Sequence, residues 1–241
     1  MPAEVSPERR AELERRLHRV RERIAAACVA AGRAPEEVEL LAVTKTIPAA
    51  DVIALADLGL RDFGENRAQE AAAKVERIRE LRPDLDLRWH FIGALQRNKA
   101  RLVVPWVTRV ETVDSARLAA ELDKQAARRG TRLPVLIQYS VDGDPARGGV
   151  GDEGLLELAA QVTEARGLVL EGLLSVAPLG ADDEESFAAI AEAGRSLRTE
   201  HPAASVLSAG MSGDLEVAIR HGSTVARVGT ALVGDRTLTS R

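Results

Sequence analysis

The chain has 241 residues, 45% of them hydrophobic, 29% charged and 2% aromatic, with a formal net charge of −4. That length allows one large domain or two small ones, and the charge balance offers no basic surface for nucleic acid. No apolar run approaches the roughly 18–20 residues needed to cross a bilayer, so a membrane protein is not expected.

The composition is that of an ordinary soluble protein whose core must come from Leu, Val, Ile and Ala. A single cysteine, Cys28, has no intramolecular disulfide partner, which fits a reducing compartment. The N-terminus is charged rather than signal-like, and a cytoplasmic location is expected. Ser6, Pro7 and Glu8 open a helix as N-cap, first position and first-turn acid. Leu13, Leu17, Val20, Ile24 and Cys28 recur at helical spacing and define its buried face. The opposite Arg/Glu-rich face reads as solvated surface, and Gly32 ends the helix.

From there strand-like and helix-like segments alternate. Strands are expected at Val38–Lys45, Asp62–Glu65, Arg88–Ile92, Arg109–Thr112, Pro134–Tyr139, Leu168–Leu174, Ser205–Ser208 and Val225–Val228. Helices are expected between them at Ala49–Leu58, Arg67–Leu81, Asn98–Val103, Ser115–Arg129, Gly154–Ala165, Asp183–Glu200 and Asp214–His221. The acid run Asp182–Glu185 suits a helix N-terminus, where the dipole favours negative charge. Each connection is long enough for parallel pairing. About eight such units in a chain of this length is the size of a (β/α)8 TIM barrel. A single domain over 1–241 is expected, with the extra N-terminal helix covering the last gap. A doubly wound open sheet is the alternative, but no glycine fingerprint follows the first strand.

In a barrel, the residues just after each strand build the site. The apolar run Leu40–Val43 leads directly into Thr44, Lys45 and Thr46, and Pro48 fits the first turn of a helix. Lys45 at such a strand end is a nucleophile able to form a Schiff base with an aldehyde; the plainer reading is a lysine that reaches water. Ser212-Gly213-Asp214 and Gly229-Thr230-Ala231 fall at the seventh and eighth loops, the usual barrel phosphate site. Ordinary capping by Ser212 or Asp214 is the competing explanation. Arg227 lies inside an apolar strand, where a buried charge needs a partner; a carboxylate such as Glu65 is one candidate. Because arginine only donates hydrogen bonds, Arg227 aimed at a heteroaromatic nitrogen would keep it unprotonated. His90 reads either as a structural histidine or as a cofactor contact. His18, His90, His201 and His221 fall on separate elements without ligand spacing, so no metal is expected.

An aldehyde trap, a phosphate cradle and an arginine facing a ring nitrogen together describe pyridoxal 5′-phosphate (PLP). The chain closely resembles the pyridoxal phosphate homeostasis proteins, whose single domain is similar to the N-terminal barrel of alanine racemase. The matching stretches include Ala42-Val43-Thr44-Lys45, Phe63-Gly64-Glu65-Asn66 and Trp89-His90-Phe91-Ile92-Gly93. Leu207-Ser208-Ala209-Gly210-Met211-Ser212 and Arg227-Val228-Gly229-Thr230 continue the match, in order along almost the whole chain. The resemblance implies PLP covalently held on Lys45, its phosphate on Ser212, Gly229 and Thr230, Arg227 near the pyridine nitrogen and Asn66 close to the ring. It further implies a role in PLP (vitamin B6) homeostasis and a monomer; apo PLP-dependent enzymes are candidate recipients, with direct transfer left open. One departure is the loop after the fifth strand, Asp144 to Gly149, where Arg147 replaces the family's lysine and cannot form the same amine adducts.

Racemisation needs a proton removed from one face of Cα and returned on the other. Lys45 serves one face. The family of alanine racemase takes its opposing tyrosine from a second domain, for which this chain leaves no room, and the one tyrosine here is Tyr139 on the fifth strand. A non-enzymatic PLP carrier is therefore expected. The alternatives are a slow PLP-dependent racemase or related enzyme using Lys45 with Tyr139 or His90, and a phosphosugar-type barrel enzyme without PLP.

Overall fold

The computed structural model describes residues 4–144 and 146–234, and each expected strand is present in it. The strands are β1 (Glu39–Val43), β2 (Asp62–Glu65), β3 (Arg88–Phe91), β4 (Arg109–Val113), β5 (Leu133–Tyr139), β6 (Leu168–Ser175), β7 (Val206–Ser208) and β8 (Val225–Val228). They pair in sequence order, all parallel, and β1 closes on β8 with Leu41 beside Arg227. Helix α1 (Pro7–Ala30) precedes the barrel. Outside the strands follow α2 (Ala49–Asp57), α3 (Ala68–Leu81), α4 (Ala100–Val103), α5 (Ala116–Arg128), α6 (Asp152–Glu164), α7 (Asp183–Glu200), α8 (Leu215–Arg220) and the single turn α9 (Thr230–Val233). The result is a (β/α)8 TIM barrel with an extra N-terminal helix.

Local signals set most of these bounds. Ser6 Oγ accepts from the Arg9 N–H at 3.2 Å and starts α1, while Asp182 accepts from the Glu185 N–H at 3.1 Å and starts α7. α1 packs against α2, α8 and α9, the place that a full helix after β8 would take. The expected helix over 98–103 divides into a 3₁₀ turn, Arg97–Lys99, and α4. Pro48 stands just before α2 as its N-cap, with extended backbone, rather than inside the first turn.

The apolar core lies mainly between the outer faces of the strands and the helices. Phe63, Trp89 and Phe91 from β2 and β3 are buried there; Phe63 and Trp89 pack tilted at 38° with ring centres 5.5 Å apart, and Phe91 meets Trp106 edge-on at 6.3 Å. Cys28 is fully buried in α1 and belongs to the same packing. At Gly172, φ is +155° and a Cβ would sit 1.8 Å from the Val206 carbonyl oxygen. Only glycine allows β6 and β7 to approach there.

The barrel interior carries polar side chains beside apolar ones such as Leu41. Hydrogen bonds join Glu111 on β4 to Ser208 on β7, and Arg109 on β4 to Glu171 on β6. Neither pair of strands is adjacent in the closed sheet, so these side chains must meet inside the barrel.

Candidate functional site

At the carboxyl ends of the strands lies a cavity of ≈ 390 Å³, within the range for small-molecule sites. Lys45, Asn66, Ser212, Arg227, Gly229 and Thr230 all line it, although they come from the ends of β1, β2, β7 and β8. Val43, Ile47, Ile92, Val176 and Val233 supply its apolar lining. Periodicity did not single these out, because each also reads as ordinary core.

Lys45 follows the end of β1 by two residues and is exposed at the mouth. Its Nζ makes no hydrogen bond or ion pair among the described residues. The next residue, Thr46, has φ +67°, a left-handed conformation that is unusual for a β-branched side chain and stores strain beside the lysine. Behind the lysine, Lys74 of α3 donates to the Thr44 carbonyl and to Glu65, both at 2.7 Å, and Thr44 Oγ1 donates to Glu65 at 2.8 Å. These bonds fix the backbone from which Lys45 projects.

Arg227 is 4% exposed. Its Nη1 donates to the Ser208 carbonyl at 2.5 Å and to Ser208 Oγ at 2.9 Å, and Nη2 donates to the Ser175 carbonyl at 2.7 Å. A guanidinium has five N–H donors, so these three bonds leave two N–H groups uncommitted on a residue that lines the cavity. Glu65, one candidate carboxylate partner from sequence, is not the one used: it faces α3 and pairs with Lys74. Negative charge reaches Arg227 from Glu111, one hydroxyl away through Ser208, and from Asp214. Burial pushes the Arg227 pKa down, and Glu111 opposes that shift.

Asn66 Oδ1 is buried with no hydrogen-bond partner among the described residues, an acceptor left open at the cavity. Gly93 lets the β3–α4 loop lie against it: a Cβ there would be 2.3 Å from the Asn66 carbonyl oxygen. Ser212 is held from outside by Arg23 of α1, whose Nη1 and Nη2 donate to its carbonyl at 3.1 and 3.2 Å while also pairing with Glu216. Asp214 accepts from the Met211 N–H, closing its own turn. Arg9 likewise pairs with Asp51 at 2.7 Å and donates to the Val233 carbonyl at 2.8 Å. The arginine face of α1 is thus partly a clamp on the seventh and eighth loops, not wholly solvated surface.

The sequence matches the family described as alanine racemase, N-terminal domain, over residues 16–237. It is 45% identical to the pyridoxal phosphate homeostasis protein of Mycobacterium tuberculosis (strain ATCC 25618 / H37Rv), across 100% of both chains. The chain belongs to the pyridoxal phosphate homeostasis protein family. A solved structure from Bifidobacterium adolescentis matches at a TM-score of 0.87 and 33% identity, covering 95% of this chain and 97% of that one. PipY of Synechococcus elongatus PCC7942, solved with PLP bound, matches at a TM-score of 0.77 and 36% identity, covering 92% of this chain and 100% of PipY.

In this member of the pyridoxal phosphate homeostasis family, the two residues weighed as a second base lie elsewhere. The Tyr139 hydroxyl donates to Asp152 at 2.7 Å; burial and that bond both push its pKa up. His90 is 2% exposed and sits in the barrel interior, with Nδ1 2.6 Å from Glu111 and Nε2 3.3 Å from Asp62. Burial alone would lower its pKa, but contacts with Asp62 and Glu111 outweigh it and bring the value up to about 9. Sequence spacing showed no metal cluster, yet the fold brings one ligand atom each from Glu39, Asp62 and His90 within 4.8 Å of one another. Arg88 also pairs with Asp62 at this group, so one of its carboxylates already has a cationic partner. In the β5–α6 loop, Arg147 pairs with Asp142 and donates to the Val176 carbonyl, pinning that loop to the cavity wall.

Proposed function

We propose that this protein holds PLP on Lys45 as a Schiff base and serves as a cofactor carrier and buffer without efficient catalysis. One observation carries this reading: an unpaired amine, an orphaned buried acceptor and two spare guanidinium donors line a single cavity. PLP supplies an aldehyde that an amine can hold covalently, a pyridine ring that withdraws electrons, and a phosphate. The residues present fit all three. The Lys45 amine suits the aldehyde, and Asn66 Oδ1 can take a donor at the ring. The Ser212 and Thr230 hydroxyls and the Gly229 backbone suit the phosphate. The spare N–H groups of Arg227 would face the ring nitrogen as donors, which would keep it unprotonated and make the ring a poorer electron sink. PLP carried by PipY, and the naming of the mycobacterial relative, support the same assignment.

Two features favour a carrier over a racemase. Among the described residues, the ionisable side chains lining the cavity are Lys45 and Arg227, so no second base stands opposite the lysine. The exposed Lys45 also leaves the linkage within reach of water and of an apo PLP-dependent enzyme. Titration with PLP is expected to give a visible absorption band in the wild type and none in Lys45→Ala. L-Alanine in D2O is expected to show no Cα–deuterium exchange at an enzymatic rate. Exchange at several turnovers per second would overturn the carrier reading, and a colourless wild type would overturn the cofactor assignment.

A further inference from the structure

Glu111 is completely buried in mid-barrel and takes no part in the cavity lining. Its Oε2 accepts from Ser208 Oγ at 2.6 Å, and its Oε1 lies 2.6 Å from His90 Nδ1. A serine hydroxyl has one proton. Because Ser208 gives that proton to Glu111, its lone pairs are turned toward Arg227 Nη1, 2.9 Å away. The remaining partners of Arg227 are the neutral carbonyls of Ser208 and Ser175, neither of which carries a countercharge. Glu111 therefore sets the direction of the serine dipole and provides the charge that holds a buried guanidinium in place.

We propose that Glu111 is a positioning residue for the cofactor: acting through Ser208, it fixes Arg227 so that the ring nitrogen stays unprotonated. This rests on the reading that Arg227 faces the pyridine nitrogen of PLP. The shape of glutamine makes the dependence testable. Its amide offers one oxygen where the carboxylate offers two, so Glu111→Gln must turn N–H donors toward either Ser208 or His90. Ser208→Ala cuts the same chain at the next link while leaving Glu111 in place.

The experiment loads wild type, Glu111→Gln, Ser208→Ala and the double variant with PLP labelled with 15N at the pyridine nitrogen. It reads the 15N chemical shift from pH 6 to 9, the PLP dissociation constant and the thermal midpoint of each protein. The wild-type nitrogen is expected to stay in the unprotonated range throughout. Both single variants are expected to move it toward the protonated range and to weaken PLP binding roughly tenfold, the scale of one lost charge-assisted hydrogen bond. The double variant should be no worse than either single change, because both interrupt one chain. If Glu111→Gln fails to fold, Ser208→Ala carries the same test. Folded variants with the wild-type shift and affinity would overturn the positioning role while leaving the carrier intact. A wild type that does not bind PLP, or binds it with a protonated nitrogen, would instead overturn the reading beneath it.

Discussion

Raising the pH through the titration of His90 should cost this fold stability in a window where most buried carboxylates are already ionised. His90 lies between Glu111 and Asp62 inside the barrel, and its pKa stands at about 9 against an ordinary value of 6.5. Below pH 6.5 the imidazole is protonated in both the folded and the unfolded chain, and its contribution is fully present. Above pH 6.5 the unfolded chain releases the proton while the folded protein keeps it, so the contribution shrinks and is lost as pH passes through about 9. A rise from 6.5 to about 9 corresponds to about 3 kcal/mol, at about 1.4 kcal/mol per pH unit. Urea unfolding at pH 6, 7.5 and 9.5 measures the loss, with fluorescence of the buried Trp89 and Trp106 as the probe. NMR titration of the histidine ring carbons should show one resonance that changes only above pH 8. Stability that is flat or rising between pH 6.5 and 9, with no histidine titrating above pH 8, would refute the reasoning.

Lys45→Ala is expected to unfold within about 0.5 kcal/mol of the wild type, since the side chain is exposed and beyond the strand, while losing all covalent PLP; urea melts and borohydride labelling check both halves. Gly93→Ala forces a Cβ toward the Asn66 carbonyl and should cost about 1–3 kcal/mol, weakening PLP binding as Asn66 is displaced; calorimetry and PLP titration read the two effects. Arg23→Ala removes the brace on the Ser212 carbonyl at a partly exposed site, so PLP should dissociate faster with little change in thermal midpoint, as followed by transfer to an excess of scavenging amine. Tyr139→Phe leaves Asp152 without one donor and is expected to lower stability by about 1 kcal/mol without altering the PLP absorption band.

Much of this architecture was legible in the sequence because barrel chemistry gathers at strand ends, and strand ends are marked by a change of composition. Lys45 after Leu40–Val43, and Gly229-Thr230 after Val225–Val228, both carry that mark, and the fold brings them into one cavity. What stayed hidden depends on long-range or transverse contacts. Glu111 gives the same signal as Arg227, a charge within a strand, but its partner Ser208 is 97 residues away across the barrel. Glu65 was a candidate partner for Arg227 on chemistry alone. Strand alternation turns Glu65 outward to Lys74, while its neighbour Gly64 lies next to His90 in register. Helical periodicity located the buried face of α1 correctly, yet it says nothing about how far an arginine on the other face can reach. Arg23 and Arg9 use that reach to hold the seventh and eighth loops.

The carrier reading stands first on Lys45 being the residue that holds the cofactor. The most direct measurement is borohydride reduction of the PLP-loaded protein, followed by peptide mass mapping. The expected result is one stoichiometric pyridoxyl label on the peptide containing Lys45, together with loss of the visible band. A label on Lys74, Lys99 or Lys124 with Lys45 unmodified, or no label at all, would contradict it.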